Sequence, residues 1–193
     1  FNATNSVLKY KWSYINFIGE ELNSKKIGIL GYGRLGKFFS KYCLSFGSEV
    51  YVYDPYKNFK NKKIKIMKNF KKFLEKIDVL SIHIHLSKNT INFINKGNLK
   101  YLKKNILIVN TSRGQIINEN DLLNFLKKNK FASYATDVLS DEMNIKKNNK
   151  MIKFFKSNKH RILITPHIGG MTKQGQYNAY HGSLENLIKF ANK

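Results

Sequence analysis

Three residues in the second half of the chain, Arg113, Glu142 and His167, have the side-chain types that acid–base chemistry on a small anionic molecule requires. Each stands at or just after the carboxyl end of an apolar run that predicts a buried strand. Histidine can take or return the proton of a hydroxyl group, arginine can hold a carboxylate, and a carboxylate can orient the histidine. The three residues therefore fit the oxidation of an alcohol or the reduction of a carbonyl group, with a cofactor carrying the hydride.

The segment Gly31-Tyr32-Gly33-Arg34-Leu35-Gly36 has the spacing GxGxxG. It follows a predicted strand over residues 26–31 and opens a predicted helix over residues 33–47, a context in which this spacing indicates a dinucleotide site. Gly31 would allow the tight turn, Gly33 the approach of a pyrophosphate to the backbone, and Gly36 the close packing of helix and strand. The N–H groups at the start of the helix would then face the phosphates.

Asp54 ends the next predicted strand, 18 residues after Gly36 (54 − 36), close to the spacing of about 20 residues that is typical of a ribose-binding acid. A carboxylate at this position accepts hydrogen bonds from the ribose hydroxyls and repels a 2′-phosphate, so the sequence favours NAD over NADP. Lys57 leaves use of both cofactors open. A glycine turn that binds no ligand is the alternative, and the strand, the helix and the acid together argue against it.

Apolar runs alternate with helical patterns along the chain, which predicts an α/β fold with a doubly wound parallel sheet of the Rossmann type. We expect residues 1–193 to form one dinucleotide-binding domain, with a linker helix in residues 1–24, a Rossmann core over 25–171 and a C-terminal helix over 172–193. Residues 144–159 predict a surface excursion, partly helical around residues 151–155. The predicted strands are 26–31, 49–54, 64–67, 78–84, 105–110, 132–138 and 161–165, and the other helices are 69–76, 118–128 (capped by Asn118) and 172–190 (capped by Thr172).

The formal net charge of +23 arises from 35 basic residues, of which only Arg34, Arg113 and Arg161 are arginines. The lysines are spread over nearly every segment, so the charge indicates a chain-wide bias, and no nucleic-acid partner is expected. No apolar run reaches the roughly 18 residues of a membrane span, so no membrane partner is expected either. The five histidines have no metal-ligand spacing, which predicts no metal. The single cysteine, Cys43, predicts a packed core thiol and a reducing compartment such as the cytoplasm.

The segments NTSRGQIINENDLL (110–123), TDVLSDE (136–142) and TPHIGGMT (165–172) follow the glycine loop in this order. With them, the chain resembles the NAD-binding domain of the D-isomer-specific 2-hydroxyacid dehydrogenase family over residues 12–191. The resemblance implies an oxidoreductase that transfers a hydride between NAD and a D-2-hydroxy acid or 2-oxo acid. It also implies a homodimer.

The resemblance further implies roles for individual residues. Arg113 would hold the substrate carboxylate and polarise its C2 oxygen. His167 would exchange the hydroxyl proton, and Glu142 would hydrogen-bond His167 and fix its tautomer. Asp137 would bind the nicotinamide amide. Further contacts with the cofactor would come from the backbone of Arg34 and Leu35 at the pyrophosphate, from Thr111 and Ser112 on the nicotinamide side, and from His83, Ile84, Gly169 and Gly170 along the dinucleotide.

Three features depart from the family pattern. His85 stands where proline is usual, Met143 replaces the proline that commonly follows the glutamate, and the segment from Glu142 to His167 is longer than in many members. The family's substrate-binding domain has no counterpart in the sequence, so we expect the isolated chain to bind NAD and to turn over slowly or not at all. A non-catalytic NAD-sensing or corepressor-like protein on the same fold is the alternative, and a proton-transfer histidine argues against it.

Overall fold

The computed structural model describes residues 2–57 and 61–192, and the predicted domain limits at residues 1 and 193 lie outside them. Within the described residues, seven strands form one sheet in which every pairing is parallel. They are β1 (Lys26–Leu30), β2 (Glu49–Tyr53), β3 (Ile64–Ile66), β4 (Val79–Ile82), β5 (Leu107–Asn110), β6 (Ser133–Thr136) and β7 (Ile162–Ile164). Their order across the sheet is β3-β2-β1-β4-β5-β6-β7, which confirms the predicted Rossmann-type sheet.

The α-helices in the described part of the chain are α1 (Asn2–Leu8), α2 (Arg34–Ser45), α3 (Phe70–Lys76), α4 (Lys96–Leu99), α5 (Glu119–Lys128), α6 (Lys150–Ser157) and α7 (Lys173–Ala191). The side chains of Asn118 and Thr172 cap α5 and α7, as predicted, by accepting hydrogen bonds from the N–H groups of Asp121 and Gly175. The sequence analysis did not predict α4, because its four residues are too short for an apolar repeat. None of the described helices has the length and hydropathy of a membrane span.

The strands end in register along one edge of the sheet. Six residues on neighbouring strands form a single row of paired positions, called here the terminal row: Tyr53, Leu30, Ile82, Asn110, Thr136 and Ile164. The residue after each of these leaves the sheet beside its neighbours. The loops that follow the strands therefore meet at this edge, where ligands bind in open parallel sheets.

Apolar side chains fill both faces of the sheet. On one face, Cys43 of α2 packs with Ile27 and Ile29 of β1, and burial raises the pKa of its thiol to about 11. On the other face, Phe73 of α3 packs with Leu30. Because helices lie on both faces, nearly all side chains of β1 and β4 are buried, and these two strands are mostly apolar.

The predicted helix around residues 151–155 is present, but the segment 144–159 is not only the surface excursion that was predicted. Its helix, α6, covers residues 150–157, and Met151 on this helix is buried. Phe154 and Phe155 pack against the same core cluster. The Lys- and Asn-rich composition of the segment obscured the apolar face of α6. The lysines of the helix lie on its exposed side.

Replacing Phe73, which has no exposed surface, by alanine should lower the free energy of unfolding by about 3–5 kcal/mol, since the cavity in the α3 layer cannot collapse fully. Urea denaturation at neutral pH measures the change. Phe131→Ala is the matched control, because Phe131 is 83% exposed and should lose well under 1 kcal/mol, roughly the range of surface substitutions. Equal losses for the two variants would contradict this account of the core.

Candidate active site

The glycine loop lies between β1 and α2. Gly31 has φ +93°, and its N–H donates to the Tyr53 carbonyl oxygen at 3.0 Å. A Cβ at Gly36 would lie 2.2 Å from the Gly31 carbonyl oxygen, so α2 can begin this close to the loop only with glycine here. A Cβ at Gly33 would meet no atom within 4 Å. The backbone at Gly33 is therefore open to an approaching molecule. The two exposed residues that begin α2 are Arg34 and Leu35.

Asp54 connects the end of β2 to the glycine loop. Its Oδ2 accepts a hydrogen bond from the Tyr32 N–H at 2.8 Å, and its Oδ1 accepts one from the Tyr56 N–H at 3.0 Å. The carboxylate is half-buried. Its remaining lone pairs, which do not face these N–H groups, can accept further hydrogen bonds. A cavity of about 350 Å³ beside it is lined by residues that include Gly31, Gly33, Asp54, His83 and Ile84.

His83 follows β4 at the centre of the sheet. Its Nε2 lies 2.9 Å from Ser81 Oγ, and its ring lies 5.2 Å from the ring of Phe39. Burial lowers the pKa of His83 to about 4. The imidazole is therefore neutral at pH 7, and it presents a polar but uncharged surface to the cavity beside the glycine loop.

The loop that carries Arg113 is folded by the buried side chain of Asn110. The Asn110 Nδ2 donates to the Arg113 carbonyl oxygen at 3.0 Å, and its Oδ1 accepts from the Ser112 N–H at 3.1 Å. Ser112 Oγ donates to the carbonyl oxygen of Ile84, which joins this loop to the one after β4. Thr111 and Arg113 are exposed, and the Arg113 guanidinium donates only to the neighbouring Ser112 carbonyl oxygen, at 2.7 Å, among the hydrogen bonds of the described residues.

Gly114 brings the Arg113 loop against the loop that carries Glu142. A Cβ at Gly114 would lie 2.1 Å from the carbonyl carbon of Leu139 and 2.3 Å from the nitrogen of Ser140. Gln115 Nε2 also donates to the Ser140 carbonyl oxygen at 3.0 Å. The sequence analysis gave no role to Asn110 or Gly114. Their only signal was their position on either side of the exposed Thr-Ser-Arg segment.

Glu142 and His167 meet directly although 25 residues separate them in sequence. His167 Nδ1 lies 2.8 Å from Glu142 Oε1. The Leu139 N–H donates to the second carboxylate oxygen, Oε2, at 3.3 Å. The His167 side chain is 47% exposed and that of Glu142 is 25% exposed, so the pair borders solvent. Glu142 thus engages Nδ1 of His167, and among the hydrogen bonds of the described residues Nε2 has none.

Asp137 follows β6 and is 7% exposed. Its Oδ1 accepts hydrogen bonds from Thr165 Oγ1 at 2.5 Å and from the Ile168 N–H at 2.9 Å. Its Oδ2 accepts one from the Gly169 N–H at 2.7 Å. Burial alone would raise the pKa of Asp137, but these hydrogen bonds and the neighbouring His167 hold it below its ordinary value. The carboxylate is therefore ionised and lies among donors of its own chain. Gly170, next to Gly169, is exposed.

A second cavity, of about 400 Å³, lies beside the His167–Glu142 pair. Asp137 and Thr165 contribute polar groups to its wall. The remaining lining is apolar and consists of Leu139, Met143, Ile145, Ile152, Phe155, Ile164 and Pro166. Met143 is almost fully exposed. Within residues 2–57 and 61–192, no group of His, Cys, Asp and Glu side chains is arranged to hold a metal ion.

The chain belongs to the D-isomer specific 2-hydroxyacid dehydrogenase family, whose NAD-binding domain matches residues 1–169. The matched region contains the glycine loop, Asp54, Arg113, Glu142 and His167. The matched region also contains all seven strands of the sheet and every segment of the site up to Gly169.

Individual relatives agree with this assignment. The chain is 33% identical over 192 residues to a D-3-phosphoglycerate dehydrogenase of Bacillus subtilis, covering 98% of this chain and 35% of that protein. It is 32% identical over 181 residues to a hydroxypyruvate reductase of Blautia hydrogenotrophica, covering 93% of this chain and 54% of that protein. The crystal structure of a D-lactate dehydrogenase from Aquifex aeolicus, complexed with NAD and lactic acid, matches with a TM-score of 0.89 and 26% identity over 99% of this chain and 61% of that one. The chain thus spans between a third and two thirds of the length of these relatives.

Replacing Gly114 by alanine should destabilise the protein by about 1–3 kcal/mol, because the added methyl group overlaps the backbone at Leu139 and Ser140. Urea denaturation measures the loss. Gly182→Ala in α7 is the control, since a Cβ there meets no atom within 4 Å. It should be neutral or stabilising by up to about 1 kcal/mol, because alanine favours helix. A Gly114 variant as stable as the Gly182 variant would show that the two loops do not touch as described.

The low pKa of His83 should make folding sensitive to mild acid. An unfolded histidine titrates near pH 6.5, whereas folded His83 has a pKa of about 4. Between these values the unfolded chain binds a proton that the folded chain excludes, so stability falls as the pH is lowered through this window. The loss attributable to His83 should approach about 3 kcal/mol at its lower end.

Urea denaturation at pH 7 and pH 4.5 measures this effect in the parent protein and in His83→Asn. The difference in unfolding free energy between the two pH values should be smaller in the variant. His160→Asn, which replaces an exposed histidine, should keep the parent's dependence. An unchanged dependence in His83→Asn would mean that His83 is not buried in the folded chain.

Proposed function

We propose that this chain is the cofactor-binding part of an NAD-dependent dehydrogenase that interconverts D-2-hydroxy acids and 2-oxo acids. The observation that carries the proposal is the hydrogen bond between His167 Nδ1 and Glu142 Oε1 at 2.8 Å. It lies at the same edge of the sheet as the open glycine loop. A protein that only senses NAD would need the loop but not an oriented histidine beside it.

The residues at the glycine loop fit a dinucleotide. Gly33 offers an unobstructed backbone, and α2 begins directly after it with free N–H groups. Asp54 retains acceptor capacity for the ribose hydroxyls, which favours NAD over NADP. We assign the backbone of Arg34 and Leu35 to the pyrophosphate. The remaining border of the dinucleotide is assigned to His83, Ile84, Thr111, Ser112, Gly169 and Gly170.

Bound NAD would supply or accept the hydride. His167 would hold or receive the hydroxyl proton at Nε2, since Nδ1 faces Glu142. Glu142 would keep the ring in one orientation through this hydrogen bond. Arg113, whose guanidinium is exposed and makes no ion pair within the described residues, would bind the substrate carboxylate through paired N–H donors.

The substrate class is supported by the chemistry common to the relatives' names. A D-3-phosphoglycerate dehydrogenase, a hydroxypyruvate reductase and a D-lactate dehydrogenase are named for small 2-hydroxy or 2-oxo acids. Because the chain spans only part of each relative's length, we propose that these 193 residues bind NAD but by themselves turn over slowly or not at all.

Two further properties are proposed for the same protein. Residues 7–18 expose large apolar side chains, with Tyr10 at 99% and Trp12 at 87%, which supports a homodimer formed through this segment. The single cysteine, Cys43, is a free, buried thiol, and we propose a reducing compartment and a cytoplasmic location.

Replacing His167 by asparagine should abolish most turnover, by a factor of about 10²–10⁴, because the group that exchanges the hydroxyl proton is lost. Turnover is measured as NADH oxidation by the native protein with a panel of 2-oxo acids. NADH fluorescence measures binding to the chain, which should be unchanged.

His160→Asn is the matched control, since His160 is exposed and lies outside the site. It should retain both turnover and binding. If the His167 variant reduces 2-oxo acids as fast as the parent, or if the parent reduces none of them while binding NADH, the sensor alternative is the better description.

A further inference from the structure

The loop that follows β7, residues 165–170, holds His167 in an unusual backbone conformation. His167 has φ +54°, a left-handed region that residues other than glycine seldom adopt. Such a conformation persists only when the surrounding contacts impose it. We call residues 165–170 the His167 loop. Its shape decides where the imidazole lies relative to Glu142.

Four of the hydrogen bonds that hold this shape come from one residue, Asp137. Its carboxylate accepts hydrogen bonds from Thr165 Oγ1, two residues before His167, and from the N–H groups of Ile168 and Gly169, directly after it. The Asp137 carbonyl oxygen also accepts the N–H of His167 at 2.8 Å. Asp137 therefore holds the chain on both sides of the histidine.

Close packing leaves this arrangement little freedom. A Cβ at Gly169 would lie 3.0 Å from Asp137 Oδ2, so the loop backbone lies directly against the carboxylate. Asp137 is itself fixed, because its N–H donates to the Asn110 carbonyl oxygen at 3.1 Å. A buried carboxylate is tolerated when charge-assisted hydrogen bonds satisfy it. Three of the donors that satisfy Asp137 belong to the His167 loop.

We propose that Asp137 is a positioning residue for His167, with its carboxylate clamping Thr165, Ile168 and Gly169 so that the imidazole meets Glu142. The family resemblance implies a different role, in which the same carboxylate binds the nicotinamide amide. The two roles have separable consequences: a clamp acts on the His167 ring without the cofactor, whereas a cofactor contact acts on NADH affinity. The inference rests on the proposed function in one respect only, namely that the positioned imidazole exchanges a proton.

The test compares Asp137→Asn with the parent chain by ¹⁵N NMR of the histidine ring nitrogens. Glu142→Gln serves as the reference for a ring that has lost its carboxylate partner. The asparagine amide presents an NH₂ group to the loop where a carboxylate oxygen accepted hydrogen bonds. The His167 ring signals in Asp137→Asn, recorded without cofactor, should therefore move toward those of Glu142→Gln, and a fluorescence titration with NADH measures the Kd of each variant.

Thr165 provides a conservative pair that keeps the test decisive if Asp137→Asn does not fold. Thr165→Val removes the hydroxyl donor at nearly the same volume, and Thr165→Ser retains it. The valine variant should shift the His167 signals in the same direction, and the serine variant should restore them. A structural loss unrelated to the clamp would show in the thermal midpoint and would not follow the hydroxyl group.

Unchanged His167 signals in Asp137→Asn, or in Thr165→Val where the first variant is unfolded, would overturn the proposal. Weaker NADH binding with unchanged ring signals would assign Asp137 to the cofactor instead. Neither measurement requires turnover. A protein that reduces no 2-oxo acid would thus refute the proposed function and leave the clamp to be judged by its own result.

Discussion

The parallel register of the strands is the constraint on which the whole site depends. The terminal row runs across six strands, from Tyr53 on β2 to Ile164 on β7. Because these residues are paired, the loops that follow them leave the sheet side by side. A slip of one residue in any strand would turn its side chains to the opposite face. It would also move one loop away from the others, so the site and the core are fixed by the same backbone hydrogen bonds.

Polar side chains at or just after this row then fold the loops. Asp54 accepts the N–H of Tyr32 in the glycine loop. Asn110 bonds the N–H of Ser112 and the carbonyl oxygen of Arg113, and Asp137 bonds the His167 loop. Each residue satisfies backbone groups that a tight loop would otherwise leave without partners. The loops therefore expose side chains that can contact a ligand. Polar side chains at the edge of the sheet hold the backbone of these loops in place.

The sequence predicted the strands and most helices well, because buried parallel strands are continuous apolar runs and the helices carry an apolar repeat or a cap. The glycine loop and the candidate residues Arg113, Glu142 and His167 were also recognised from the sequence. Two features were not predicted. The face of α6 that packs against the core was hidden by its lysines, and the four-residue α4 has no periodicity to detect.

The sequence by itself determined the alternating architecture, the dinucleotide spacing and the set of residues with suitable chemistry, since each is a local pattern of residue types. Only the tertiary structure decided which of them touch. The approach of Gly114 to Leu139, the pairing of Glu142 with His167 and the bonds from Asp137 to residues 165–169 all join loops about 25–32 residues apart. Such contacts depend on the register of the strands and on backbone distances of a few ångströms, and no local pattern in the sequence encodes either.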